Sequence, residues 1–387
     1  MKIHLPYSKQ SISSEDIAAV SEALKNSMIT RGPQMEGFEQ EFAEYCGVLY
    51  AVSFSNGSAA LAAAYFAADV KPGDKIISTP NTFVSTVGTA IQRGAQPVFI
   101  DIDPSTGNVD LEQFAHNGSL PLSRGKAILA PVHFAGLPVD LEALDQQLAN
   151  PDTMIIEDAA HALGTSYPRG GPRIGSCAWS QMTIFSFHPV KNITTGEGGM
   201  VTTNSEELCH RLRLFRNNGI ERDPNYLEAE TITPWYYEVQ TLTNNFFMTD
   251  FQAALGRSQL RRLNQFLEKK RRLIKLYREK LQGHPAIQML TDKYDDHSGF
   301  HLCVVLIDYE KLRIKREDLM VKLKEKGIGT QVHYIPLYRH PYFRKMYGEL
   351  VDYFPAMEKY YSQALSLPLF YEMEESDVGF VVENLRA

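Results

Sequence analysis

Four places in the chain hold residue types that suit one kind of chemistry, and each follows a short apolar run. Ser55-Asn56-Gly57-Ser58 joins a β-prone run to an alanine-rich stretch. A helix that starts there offers free backbone N–H groups and the positive end of its dipole to a phosphate. Asn81-Thr82-Phe83 follows the run 75–78, and its aromatic ring could stack on a flat ligand. Met154-Ile155-Ile156-Glu157-Asp158 ends an apolar run with two carboxylates, which must be paired, hydrogen-bonded or neutral if buried. Phe185-Ser186-Phe187-His188-Pro189-Val190-Lys191 places a lysine directly beyond another such run, where partial burial favours a neutral, nucleophilic amine. The loop that follows, Thr194-Thr195-Gly196-Glu197-Gly198-Gly199, permits close backbone approach.

Taken singly, each feature has an ordinary structural explanation: an N-cap, a packed phenylalanine, a structural carboxylate, a surface lysine. Taken together, a phosphate site, a stacking ring, a carboxylate for a ring nitrogen and an amine for a Schiff base are what pyridoxal phosphate requires. They occur in the order 57–58, 83, 158, 191.

The elements that must position these residues read as an α/β sheet. Residues 51–54, 75–78, 97–101, 127–133, 154–157 and 182–187 are β-prone, mostly separated by helical stretches. This alternation predicts a mostly parallel sheet covered on both faces, whose ligands lie beyond the carboxyl ends of the strands. Residues 199–203 add a strand whose short link makes it antiparallel. An amphipathic helix is expected over 14–26, capped by Ser13 or Ser14 and buried through Ile17, Val20 and Leu24; 38–45 reads similarly. Residues 249–282 form one long helical stretch, with Lys269-Lys270-Arg271-Arg272 read as a solvated face. A strand over 299–307, a helix over 316–326 and a strand over 329–334 suit a smaller α+β domain. The division is therefore a large domain over 1–252 and a small one over 253–387. Residues 223–240 read as a long loop.

The chain has 387 residues, 44% hydrophobic and 22% charged, which is enough apolar mass for two domains. A net charge of −7 speaks against nucleic acid as a partner. No stretch reaches bilayer-spanning length, and residues 1–9 lack a secretory pattern; a cytoplasmic location is expected. Cys46, Cys177, Cys209 and Cys303 are scattered, so they suggest packed thiols and no metal site.

The sequence resembles the sugar aminotransferases of the DegT/DnrJ/EryC1/StrS family, within fold type I pyridoxal-phosphate enzymes, from about residue 29 to 369. The carrying segments are Ile29-Thr30-Arg31-Gly32-Pro33, Asn56 to Leu61, Thr82 to Thr86, Asp101-Ile102-Asp103, Glu157 to His161, Phe185 to Gly199, Met248-Thr249-Asp250 and His333-Tyr334-Ile335-Pro336. The resemblance implies a seven-stranded sheet and these roles. Gly57, Ser58 and Ser186 would hold the cofactor phosphate, Phe83 would stack on its ring, and Asp158 would pair with the ring nitrogen. His161 would lie near the ring hydroxyl, and Lys191 would carry the cofactor. Asn245 would reach the phosphate of a neighbouring subunit, which implies a homodimer with shared sites. Thr30, Arg31, His188, His333 and Tyr334 would meet the substrate.

The lysine segment looks closest to the subgroup that aminates C4 of a UDP-4-keto-6-deoxy-N-acetylhexosamine with L-glutamate as donor, as in pseudaminic acid biosynthesis. Other nucleotide keto-sugars, such as a 4-keto-arabinose or a dTDP-3-keto sugar, are alternatives, as is a non-catalytic sugar-binding homologue. Dehydratases of the same family carry histidine where this chain has Lys191. One departure stands out: the family commonly has arginine two residues after the asparagine, and here that position is Phe247.

Overall fold

The computed structural model describes residues 3–119, 125–148, 153–229 and 233–386. In chain order, α1 (Ser14–Ala23) and α2 (Pro33–Cys46) lead into β1 (Tyr50–Phe54), α3 (Gly57–Ala67), β2 (Lys75–Ser78), α4 (Ser85–Ile91) and β3 (Gln96–Phe99). Then come α5 (Leu111–Ser119), β4 (Ala127–Leu129), α6 (Leu141–Asp145), β5 (Met154–Asp158), β6 (Met182–Ser186), β7 (Gly199–Thr203) and α7 (Glu206–Arg216). These strands form one seven-stranded sheet in the order β1-β7-β6-β5-β4-β2-β3. Neighbours from β3 through β6 pair in parallel. β7 runs antiparallel to both β6 and β1, as its short link requires. The expected α/β architecture of fold type I is present. Alanines 59, 60, 63, 64 and 67 are buried along α3, which lets that helix lie close to the sheet.

A two-stranded ribbon, β8 (Ile220–Glu221) with β9 (Glu238–Val239), encloses much of the segment expected to be a loop. The helix α8 (Asp250–Leu281) spans 32 residues. The rest comprises β10 (Ile287–Met289), β11 (Cys303–Ile307), α9 (Arg316–Glu325), α10 (Pro341–Tyr347), α11 (Pro355–Gln363), β12 (Ala364–Leu367) and α12 (Glu375–Arg386). β10, β11 and β12 make a separate antiparallel sheet. The apolar cluster around it takes in Leu273, Ile274 and Tyr277 from α8, so this helix serves the cores on both sides.

Three local expectations are corrected. Helix α1 carries its Ser13 cap, but Ile17 and Leu24 face outward, 61% and 54% exposed. Its buried contact is polar: Asp16 accepts from Gln259 Nε2 at 2.6 Å and Arg262 NH1 at 2.7 Å on α8. Residues 329–334 form no strand; Gln331 makes only an isolated bridge to Ser366, and the segment runs on to the loop after β2, where the Tyr334 N–H donates to Asn81 Oδ1 at 3.2 Å. Lys270 does not belong to a solvated face. It is buried at 4% exposure, because it sits in the same stripe as Leu263, Phe266, Leu267, Leu273, Ile274 and Tyr277. All four cysteines are buried and free.

Candidate active site

The carboxyl ends of β1, β2, β5 and β6 open into a cavity of about 660 Å³. Asn56 caps α3 by accepting the Ala59 N–H at 2.8 Å. The first amides of the helix, at Gly57 and Ser58, have no intrahelical acceptor and are the groups left for an anion. Ser58 Oγ lies 2.6 Å from Ser85 Oγ. Two glycines make this cradle possible. A Cβ on Gly57 would come within 2.9 Å of Ser186 Cβ, and one on Gly199 within 2.5 Å of the Asn56 carbonyl oxygen. Phe83 stands at the mouth, 59% exposed.

Strand periodicity sends the two carboxylates of β5 to opposite faces. Glu157 points away from the cavity into the core. It accepts from Thr183 Oγ1 at 2.7 Å, Ser180 Oγ at 2.5 Å, Tyr167 Oη at 2.6 Å and His133 Nε2 at 2.7 Å. His133 Nδ1 accepts the Val139 N–H, which leaves the proton on Nε2 for this bond. Burial alone would raise the Glu157 pKa, but these donors outweigh it and hold the group below the usual range. Glu157 is a structural carboxylate. Asp158, by contrast, lines the cavity. One oxygen accepts the Ala160 N–H at 3.1 Å and the other accepts from Thr86 Oγ1 at 2.6 Å. Because Thr86 donates there, the 2.7 Å contact between Thr82 Oγ1 and Thr86 Oγ1 must be a bond from Thr82 to Thr86. The relay fixes the Asp158 plane as an acceptor aimed at the cavity.

Lys191 is half-buried in the same cavity, and burial brings its pKa down to about 8 despite the opposing pull of Asp158. Its segment is tied in place. Ser8 Oγ donates to the Val190 carbonyl at 2.9 Å, bringing Tyr7 over the cavity, and Thr194 Oγ1 donates to the Phe187 carbonyl at 3.0 Å.

Histidines crowd the remaining wall. The Ala135 N–H donates to His161 Nδ1 at 3.3 Å, so neutral His161 carries its proton on Nε2 and donates it to Tyr334 Oη at 3.0 Å. Burial, then the charges of Lys191 and His333, keep His161 well below the usual histidine pKa. Burial keeps the Tyr334 phenol protonated. Tyr334 Oη thus accepts from His161 and retains its own proton for another acceptor. His333 is pinned by Ser366 Oγ at 2.8 Å and drops to about pKa 3, mainly by burial.

Gly57, Ser58, Phe83, Asp158, His161, Ser186, His188, Lys191, His333 and Tyr334 all line this one cavity. Thr30, Arg31 and Asn245 do not. Thr30 bridges Thr249, and Arg31 lies with its Cζ 4.0 Å from the Phe247 ring centroid, whose ring Arg216 also covers at 4.7 Å. Asn245 is exposed and accepts the Phe247 N–H at 3.2 Å. The segments 29–33 and 248–250 are locked together, since Asp250 accepts from the amides of Gly32 and Gln34 at 2.8 and 3.1 Å. Sequence reasoning gave no role to Thr86, Tyr7, His301 or Lys270. The signal for Lys270 was its place as the one lysine at the apolar period of α8, and Thr86 closes a segment that carries the resemblance.

The pattern of the DegT/DnrJ/EryC1/StrS aminotransferase family matches residues 10–386. The chain belongs to this family. It is 37% identical over 383 residues to the spore coat polysaccharide biosynthesis protein SpsC of Bacillus subtilis, covering 99% of this chain and 96% of SpsC. Among solved structures, it is similar to Helicobacter pylori PseC, an aminotransferase involved in the biosynthesis of pseudoaminic acid, with TM-score 0.89, 28% identity and 98% of each chain covered. It is also similar to DesV of S. venezuelae, with TM-score 0.84, 30% identity and 96% and 94% covered. As a DegT/DnrJ/EryC1/StrS member it is a sugar aminotransferase that uses pyridoxal phosphate. The cavity fits that group: an anion cradle that a Cβ would fill, a fixed carboxylate acceptor and a desolvated lysine. Among the described residues, no cluster of His, Cys, Asp and Glu could hold a metal ion, and no helix is long and apolar enough to cross a membrane.

Proposed function

We propose that this enzyme moves an amino group from L-glutamate to C4 of a UDP-4-keto-6-deoxy-N-acetylhexosamine, in making an amino sugar for a surface glycan, and that it works in the cytoplasm as a homodimer with shared sites. The observation that carries the chemistry is the placement of Lys191 and Asp158 in one cavity, with the lysine desolvated and the carboxylate fixed. The likeness to PseC supports the choice of sugar.

In this reading Gly57, Ser58 and Ser186 hold the cofactor phosphate, Phe83 covers the ring, and Lys191 carries the cofactor covalently. When bound, pyridoxal phosphate supplies a conjugated ring that accepts the electron pair left by a broken C–H bond. Asp158 accepts the ring N–H in a charge-assisted bond and keeps that nitrogen protonated. Lys191 Nζ would take the proton from the donor's α-carbon and later deliver one to the sugar carbon that receives nitrogen. Tyr334 Oη offers its proton to an oxygen of the bound ligand, with His161 behind it as donor. Tyr7 and the histidines restrict water.

The test is incubation of the purified enzyme with glutamate and a panel of UDP- and dTDP-linked keto-sugars, with the amino products read by mass spectrometry. The UDP-4-keto-6-deoxy sugar is expected to turn over best. A preference for a dTDP-3-keto sugar overturns the substrate, and a Lys191→Ala variant that still turns over overturns the site.

A further inference from the structure

Lys270 is a buried cation position that the chemistry above does not use. It comes from the middle of α8 and occupies a position in the helix's buried, mostly apolar stripe. Its Nζ donates to Asn192 Oδ1 at 2.8 Å. Asn192 follows Lys191 directly, and its Nδ2 donates to the carbonyls of Leu163 at 2.7 Å and Gly299 at 3.0 Å. One side-chain amide therefore joins α8, the loop after β5 and the segment before β11 to the backbone beside Lys191. Among the described residues, no carboxylate lies within ion-pair distance of Lys270, although the adjacent Lys269 reaches Glu374 at 3.6 Å. A buried ammonium without a counter-charge is costly, and a structural hydrogen bond to an asparagine needs no lysine.

We propose that Lys270 is a positioning residue for Lys191, clamping its segment through Asn192. Like charges close together cannot both persist cheaply in a desolvated site, and of the two amines Lys270 yields its proton first, keeping the bond to Asn192 as a neutral donor. Burial, with Lys191 as the second cause, brings Lys270 to a pKa of about 7. The groups that interact with Lys191 are Asp158 from β5, His161 from the following loop, His301 before β11 and His333 beside β12, and of these His301 also interacts with Lys270. Only Asp158 favours charge on Lys191. His301 is buried, feels both lysines, and has an unpartnered Nδ1, so this corner holds basic nitrogens in excess of acids.

This inference rests on the reading that Lys191 carries the cofactor. The experiment compares kcat and KM of the holoenzyme with those of Lys270 variants, with borohydride trapping to identify the modified lysine. Lys270→Met removes the donor to Asn192, and kcat is expected to fall by on the order of tenfold. KM for the sugar should hold, and Lys270→Gln, which keeps a donor, should recover part of the loss. If Lys270→Met does not fold, Asn192→Ala, which removes the acceptor, serves in its place. Trapping at Lys191 with an unchanged kcat overturns the role of Lys270 and leaves the cofactor assignment standing. Trapping at any other lysine overturns that assignment itself.

Discussion

The tautomer of His161 follows from one backbone amide. Because Ala135 N–H donates to Nδ1, His161 is a donor toward Tyr334, and Tyr334 becomes the group that presents a proton to the cavity. Tyr334→Phe removes that donor and keeps the ring. A hydrogen bond to a developing charge contributes about 1.5–3 kcal/mol, so turnover of the keto-sugar should fall at least about tenfold with the donor half-reaction less affected. Single-turnover kinetics of each half check this; equal loss in both would give Tyr334 a different role. The pH response of Lys191 follows from its desolvation. Its pKa of about 8 means the cofactor-free protein should capture pyridoxal phosphate faster with rising pH until about pH 8, then level off. An ordinary lysine would keep gaining to about pH 10.5. Asp158→Asn keeps the relay from Thr86 as a neutral acceptor but loses the charge that stabilises a protonated ring nitrogen. Cofactor should still bind while kcat falls by about two orders of magnitude or more, measured with saturating sugar.

At the scale of elements, what was legible depended on whether a period or a partner set the outcome. The seven strands and their turns were readable because apolar runs and glycines report local geometry. The short link before β7 even gave its direction. The helix α1 was misread because its apolar residues looked like a face, while the decisive contact is Asp16 with Gln259 and Arg262, some 240 residues away. Residues 329–334 carry β-prone types but find only one bridging partner, Ser366, so no ladder forms. Lys270 was misread by charge when period was the better guide. Its burial has a consequence for stability. Folding lowers its pKa from 10.5 to about 7, so below pH 7 it is protonated in both states and the cost of burying the cation is complete. Between about 7 and 10.5 the unfolded chain binds more protons, and stability rises with pH. Lys270→Met should therefore exceed the parent protein by on the order of a few kcal/mol at pH 6. That margin should vanish by pH 10.5, where the lost bond to Asn192 leaves it about 1 kcal/mol behind. Urea midpoints at the two ends of that range read this directly; a pH-independent difference would mean that Lys270 is not charged when buried.

At the scale of the molecule, the cavity does not balance the charge of what it is proposed to hold. Its proposed ligands are a phosphate, a dicarboxylate donor and a sugar diphosphate, yet Lys191 is the one lysine or arginine among the described residues that line it, and Glu197 lines it too. Asn245 lies outside its own chain's cavity, while Trp235 and Leu242 on the same stretch of chain are 75% and 90% exposed. Arg31 and Arg216 both lie over the Phe247 ring, two residues from Asn245; Arg216 is paired with Glu39, so Arg31 is the cation left beside this stretch even though Phe247 itself is not one. A second copy that brings this stretch to the cavity would supply the missing donors, and a two-fold axis would do so at both sites. The proposed dimer makes a quantitative claim. Lys191→Ala and Asn245→Ala each damage every site of their own homodimer. After unfolding and refolding a one-to-one mixture, half of the dimers pair one variant with the other. In each of these, one site takes Lys191 from one chain and Asn245 from its partner, both intact, and the other site loses both. Activity should return to roughly a quarter of the parent protein's, measured against each variant refolded alone. If the two residues served the same chain's cavity, no mixed dimer would contain an intact site, and the mixture would show only the mean of its two components.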